Sequence, residues 1–289
     1  MALSFGGSGF SAQKSIGYMS KTKSLMDKSM ERIASGNKIL TAGDDPGGLA
    51  VSMRLKNELS TLVGAKDRVG NAKSYVEAQS TALQSVADIV SEMQTIKINY
   101  EASSDSDERD AYESQFQDLR AQLNNLKGES INTQPLFNRD DDLQISTTAD
   151  GSGSTIELTD IDLDDALTID WPVGFGLPAG PDLTDNTDGT TLDDISEGDL
   201  AAVFDKVTGL ATGVAGDQST LGFASDYLSN MSTNLEAAHG RIMDVDIAEE
   251  SANYAKLTMQ YEAAAAAVAQ ANVAMGAVLD LLLTSVNRD

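Results

Sequence analysis

The placement of proline decides what this chain can fold into. All five prolines sit at positions 46, 135, 172, 178 and 181, so residues 47–134 and 182–289 contain none. Residues 71–127 also lack glycine, so nothing in that window forces a helix to stop. Apolar residues recur through both stretches at the three-and-four spacing of a single helix face. Ile16, Met19, Met26, Met30 and Ile33 hold that spacing, with Lys23 in the one polar slot. Leu55, Leu59, Leu62, Val69 and Val76 continue it, interrupted by Lys66 and Lys73, and Leu83, Val86, Val90, Met93 and Tyr100 extend it. In the last third, Leu228, Met231, Leu235, Ala238, Ile242 and Val245 repeat it. So sustained a pattern predicts mainly α structure, with long coiled-coil-like helices formed by both ends of the chain.

The helices have readable boundaries. Asp105 can cap a helix with Glu108 as its capping-box partner, and Tyr112, Phe116, Leu119 and Leu123 carry that helix to a stop at Gly128. Leu143–Thr147 and Ser154–Thr159 then alternate apolar and polar residues around Ala149-Asp150-Gly151-Ser152-Gly153, the pattern of a β-hairpin. Residues 171–195, rich in Pro, Gly, Asp and Thr, read as an acidic exposed connector, and helix resumes near Ile195 or Leu200.

Charge narrows the function. The formal net charge is −25, and residues 139–199 hold 17 acids against the single Arg139. Nucleic-acid binding needs clustered Lys and Arg, so it is excluded, and the same charge repels an anionic membrane surface. The apolar run Tyr261–Leu283 is interrupted by Glu262, Gln270, Asn272 and Asp280, which makes it a poor membrane span. The first ten residues lack a basic segment followed by an apolar one, so no cleaved secretory leader is expected. Only 5% of residues are aromatic and none is cysteine, which suits helices meeting along Ala, Leu and Met stripes and excludes disulfides and thiol chemistry.

Catalytic signatures are missing. His239 is the single histidine, so neither a histidine metal cluster nor a Ser-His-Asp triad can form. Asp140-Asp141-Asp142 and Asp160–Asp165 lack the spacing of a calcium loop, and the glycines at 6–9 and 43–48 lack the ending of a phosphate loop. No catalytic residue, metal site or cofactor is expected. The terminal stripes remain. Residues 11–35 and 245–283 are among the most apolar segments, although chain ends ordinarily fray. An ordinary bundle has such stripes too, but stripes at both ends point to burial against other copies. The predicted packing residues are Ile16, Met19, Met26, Met30 and Ile33 with Tyr254, Leu257, Tyr261, Val268, Val278, Leu281 and Leu282.

Two segments are more specific. Ser35-Gly36 runs through Asn37–Gly43 into Asp44-Asp45-Pro46-Gly47-Gly48-Leu49-Ala50: a helix end, an extended link, and a new helix behind an Asp cap. This resembles the signature of bacterial flagellins, a Ser-Gly turn followed by Ala-x-Asp-Asp-x-x-Gly-x-Ala. Arg241-Ile242-Met243-Asp244-Val245-Asp246 resembles the family's Arg-Ile-x-Asp-x-Asp, and Val268–Asn272 with Val278–Leu282 resembles its closing helix. The signature residues are therefore Ser35, Gly36, Asp44, Asp45, Gly48, Ala50, Arg241, Asp244 and Asp246.

The resemblance implies a short flagellin without large surface domains. Residues 1–45 with 244–289 would form the inner tube, 46–170 with 196–243 the outer helical layer with its hairpin, and 171–195 would replace the surface domains. It implies an extracellular homopolymer filament for swimming, exported through the flagellar type III apparatus, with an export chaperone, a cap and hook-junction proteins as partners. A hook–filament junction protein shares the plan and stays open as an alternative. The stretch that an innate receptor recognises in many flagellins is altered here: Gln94 and the basic Lys97 remain, but Ile98 and Asn99 replace Glu-Leu, so weak recognition is expected. Thr184, Thr187, Thr190 and Thr191 are candidate O-glycosylation sites, as in some flagellins.

Overall fold

The computed structural model describes residues 6–139, 143–147, 155–169, 181–185 and 189–286, and side chains within these except 6–12, 275 and 278–286. Asp140–Asp142, the hairpin turn at 148–154, Thr187 and the side chains of Val278, Leu281 and Leu282 lie outside the described set. The order is α1 (Gly6–Ser35), α2 (Pro46–Ala102), α3 (Ser106–Lys127), β1 (Ser130–Ile131), β2 (Gln134–Pro135), β3 (Gln144–Ser146), β4 (Thr155–Glu157), α4 (Leu163–Leu167), a 3-10 turn at Leu192–Asp194, α5 (Glu197–Met243) and α6 (Ile247–Val286). The fold is mainly α, with small antiparallel strand pairs in its middle. Two compact units result: Met1–Asn57 with Asn234–Asp289, and Glu58–Thr233.

Helix ends follow local chemistry. Asp105 caps α3 by accepting the Asp107 N–H at 2.9 Å. The expected capping box does not close, because the Glu108 carboxylate accepts the Ser103 hydroxyl at 2.8 Å instead. The predicted hairpin is β3–β4, in register Gln144↔Glu157, Ile145↔Ile156 and Ser146↔Thr155. A second hairpin, β1–β2, turns through Asn132 and Thr133 at φ +50° and +67°. Two successive positive φ values define the primed turn that suits strand twist. Thr133 is β-branched and disfavours that conformation, so the turn leaves little mark in the local residue pattern.

In the Glu58–Thr233 unit, α2 contributes a seam of unbroken three-four spacing: Leu62, Ala65, Val69, Ala72, Val76, Gln79, Leu83, Val86, Val90, Met93, Lys97 and Tyr100 are all buried. Ala65 and Ala72 take the slots that Lys66 and Lys73 were expected to interrupt. Alanine is easily missed in a pattern of large residues, and it lets a neighbouring element approach closely. On α5, Leu200, Val203, Val207, Val214, Leu221 and Leu228 complete the same core with Phe116 and Leu123 of α3. Two polar members of the α2 seam are satisfied by backbone: Gln79 donates to the Leu136 carbonyl at 2.7 Å, and Lys97 to that of Leu192 at 2.8 Å.

The described part of the acidic connector is not exposed as expected. Leu183, Thr184, Thr190, Leu192 and Ile195 are buried. The reason is Arg120, itself 1% exposed, whose guanidinium donates to the carbonyls of Asp182 (3.0 Å), Leu183 (3.3 Å), Thr190 (3.1 Å) and Asp185. Gln117 also donates to the Thr190 carbonyl, and the Glu113 carboxylate accepts the Leu192 N–H, both at 2.8 Å. Residues 181–185 and 189–195 are thus strapped along α3. Thr184 and Thr190 are consequently poor substrates for a glycosyltransferase, which corrects those two assignments; Thr191 is exposed.

Candidate assembly surface

Within the Met1–Asn57/Asn234–Asp289 unit, α1 and α6 lie side by side. They are antiparallel: Met26 meets Thr258, whose hydroxyl lies 3.7 Å from its Sδ, and Ser29 donates to the Glu250 carbonyl at 3.4 Å. Arg32 reaches the Glu250 carboxylate at 3.8 Å. Leu257 is buried, and Met19, Met26, Ile33, Tyr254, Tyr261 and Val268 are half-buried. With Glu250, Ala264 and Ala271, the α6 residues follow unbroken three-four spacing, so they form the seam against α1 within one chain. Leu257, expected to pack on another copy, is therefore already covered by its own chain.

Apolar surface is left over. Ile16 is 42% and Met30 53% exposed on one flank of the α1 seam; Tyr18 and Leu25 are exposed on the other. On α6, Met259 and Val273 are 64% and 67% exposed, on the face opposite Leu257 at about 100° per residue. The sequence pattern did not single out Tyr18, Leu25, Met259 or Val273, because all fall outside the dominant stripe.

The two signature segments meet. Gly36 adopts φ +73° and closes α1 with its N–H on the Arg32 carbonyl at 2.9 Å. Its own carbonyl accepts the Val245 N–H at 2.9 Å, Asn37 bridges Asp244 antiparallel, and Lys38 donates to the Met243 carbonyl. The α1–α2 and α5–α6 links thus form one knuckle. Ser35 accepts the Asn37 N–H at 3.2 Å. Asp44 pairs with Lys28 and accepts the N–H groups of Leu40 (3.1 Å) and Thr41 (3.2 Å). The Lys28 bond first, and the Leu40 amide next, lower its pKa to about 2.

Asp45 caps α2 through the Gly48 N–H at 2.9 Å. The approach at Gly48 is close: a Cβ there would lie 2.8 Å from the Ile39 Cδ1 and closer still to the Asp45 carboxylate, so those side chains would have to shift. Gly240 is constrained in the same way, since a Cβ would lie 2.6 Å from the Asp244 Oδ2. Asp246 caps α6 by accepting the Ala248 and Glu249 N–H groups at 2.9 and 3.2 Å. Ala50 and Arg241 are exposed, and Arg241 donates to the Ala237 carbonyl of its own helix at 3.3 Å. Lys28, Ser29, Arg32 and Glu250 were not legible, because each is an ordinary polar residue until the fold opposes it to its partner.

The altered receptor stretch is largely used internally. Gln94 donates to the Leu200 carbonyl at 3.0 Å, and Lys97 is 4% exposed, bonded to Leu192 and, at 2.9 Å, to Glu101. The retained basic group is therefore not presented to a partner; Ile98 and Asn99 are exposed. Among the described residues, no three His, Cys, Asp or Glu side chains gather as a metal site, and no helix is long and apolar enough to cross a membrane.

The terminal helices α1 and α6 thus pair in one unit and leave apolar side chains exposed on their flanks. Residues 10–141 match the bacterial flagellin N-terminal helical region and residues 204–282 the bacterial flagellin C-terminal helical region. The chain is 31% identical over 259 residues to a flagellin of Halalkalibacterium halodurans, covering 88% of this chain and 91% of that one. It is 25% identical to the flagellar filament 33 kDa core protein of Treponema phagedenis and 24% identical to a flagellin of Bacillus subtilis, each over 94% of this chain and at least 96% of the relative. The chain belongs to the bacterial flagellins, in their short form. It is a structural subunit of the flagellar filament.

Proposed function

We propose that this subunit polymerises by burying the apolar flanks that the α1–α6 pair leaves uncovered. The observation that carries this is the split stripe: one seam is closed within the chain, while Ile16, Tyr18, Leu25, Met30, Met259 and Val273 stay in water. Burying each large apolar side chain contributes about 1.5–3 kcal/mol, so a handful per copy suffices for assembly without nucleotide or covalent bond. In this reading residues 1–45 with 244–289 line the inner tube, and 46–170 with 196–243 form the outer layer.

The role is structural rather than catalytic. Two helices sharing one seam are marginal alone, so the inner layer gains most of its stability on assembly. That suits export in an unfolded state through the flagellar type III apparatus without a cleaved leader, with a chaperone, a cap and hook-junction proteins as partners. A bulk filament subunit is favoured over a junction protein by the curated relatives, which are named as flagellins and filament core proteins. Deleting residues 245–289 tests the mechanism: the truncated protein should stay unassembled on sedimentation while keeping the helices of the Glu58–Thr233 unit by circular dichroism. Filaments formed by that truncation would refute it.

A further inference from the structure

Two hairpins border a cavity on α2 within the Glu58–Thr233 unit. It holds about 480 Å³, inside the roughly 300–1,000 Å³ of small-molecule sites, and opens between the hairpin residues and the α2 face of Arg68, Asn71 and Tyr75. Its walls are fixed without any ligand. The Tyr75 hydroxyl donates to the Pro135 carbonyl, and Gln79 donates to the Leu136 carbonyl at 2.7 Å, which clamps the end of the first hairpin to α2. The Leu158 N–H donates to the Leu143 carbonyl at 3.1 Å and extends the β3–β4 pairing.

Two kinds of group line this cavity. Ile131, Leu143 and Ile145 supply aliphatic surface, and Ile131 stays 37% exposed. Arg68 enters from α2 and Arg139 from the segment after β2, where its guanidinium lies 5.8 Å from the centre of the Tyr75 ring. Guanidinium groups keep their charge whatever else they bond. Among the described lining residues there is no Asp or Glu, in a chain whose acids outnumber its Lys and Arg 45 to 20. That net charge repels an anion at a distance. Salt screens the repulsion beyond about 8 Å under physiological conditions, so the two local cations decide at contact.

We propose that this cavity binds a free amphipathic organic anion of the fatty-acid class. Its carboxylate is drawn to Arg68 and Arg139, because a planar guanidinium fork matches two carboxylate oxygens; Asn71 and Gln134 add neutral donors to the same lining. Its aliphatic tail covers Ile131, Leu143 and Ile145 and removes that surface from water. A sugar would set hydroxyls against those three side chains, and an organic cation would meet two like charges. The site is built wholly within one chain and does not rest on polymerisation.

The test uses the full-length, unassembled chain and methyl-resolved nuclear magnetic resonance. Decanoate, titrated below its micelle concentration, should shift the methyl resonances of Ile131, Leu143 and Ile145 along one saturable curve. Decyltrimethylammonium, with the same tail and the opposite charge, should leave them in place. Two variants separate charge from space. Arg68→Glu, at an exposed position, should weaken decanoate binding at least about tenfold, the scale of one charge-assisted bond. Ile131→Trp should fill the cavity and abolish the shifts. The ligand pair decides the matter even where a variant melts lower than the parent. Equal binding of the two amphiphiles, shifts confined to Ile16, Leu25 and Val273 on the terminal helices, or undiminished binding by both variants would overturn the proposal. So would vesicles of phosphatidylglycerol that co-sediment with the chain and shift the same three methyl groups, since the anion would then be a membrane lipid.

Discussion

Replacing Arg120 by Met removes the group that straps residues 181–185 and 189–195 to α3. The side chain is 1% exposed and donates to four carbonyls of that segment, those of Asp182, Leu183, Asp185 and Thr190. Each bond from a charged donor contributes about 1.5–3 kcal/mol net, but a released strap can return its carbonyls to water, so the contributions do not simply add. Breaking a buried charged network of this kind costs about 3–5 kcal/mol. Part of that loss is apolar, because a freed strap also exposes Leu183, Leu192 and Ile195. With a urea slope of about 2 kcal/mol per molar, a loss of about 4 kcal/mol lowers the unfolding midpoint by roughly 2 M. The assay is urea unfolding of the unassembled chain followed by far-ultraviolet circular dichroism, together with limited proteolysis of residues 181–195. Arg120→Lys should recover only part of the loss, since a single ammonium cannot reach carbonyls spread around a planar fork. A midpoint within about 0.5 M of the parent, with the strap still protected, would refute the argument.

Glycine substitutions should divide by position. Gly48→Ala forces a Cβ against Ile39 and the Asp45 cap and should lower the melting temperature of assembled filaments, whereas Gly209→Ala in α5, where a Cβ meets nothing within 4 Å, should stabilise the chain by up to about 1 kcal/mol. Equal effects at the two sites would contradict the close approach at Gly48. The Asp44 carboxyl should titrate near 2, below its usual 3.8, in a carbon-13 chemical-shift titration. Because its folded pKa is depressed, its contribution to the knuckle is complete above about pH 4, declines as pH falls from 3.8 to 2, and is absent below that. Asp44→Asn should abolish this acid dependence, and a titration midpoint at or above 3.8 would contradict the Lys28 pairing.

Amino-acid sequence alone determined the class of fold and where its elements break. Uninterrupted three-four spacing can be satisfied only by long helices, and Asp105, Asp45 with Pro46, and Asp246 announce helix starts through chemistry confined to a few adjacent residues. The β3–β4 hairpin was legible for the same local reason. The two signature segments were equally visible, but only as separate strings. The tertiary structure decided their meeting at Gly36–Lys38 and Met243–Val245, because a backbone bridge between residues some 200 positions apart leaves no mark on either segment.

Tertiary structure also decided which apolar residues are spent within the chain. A helical stripe states that a face will be buried and is silent about what covers it. Pairing α1 with α6 consumes Leu257 and its seam neighbours and leaves Met30, Met259 and Val273 exposed. The acidic connector is the sharpest case. Its composition predicts solvent exposure, yet one buried guanidinium on α3 gathers its carbonyls and draws Leu183, Thr184, Thr190 and Leu192 inward. Composition fixes the average environment of a segment; a single long-range charged donor fixes its actual one, and only the folded chain brings that donor within reach.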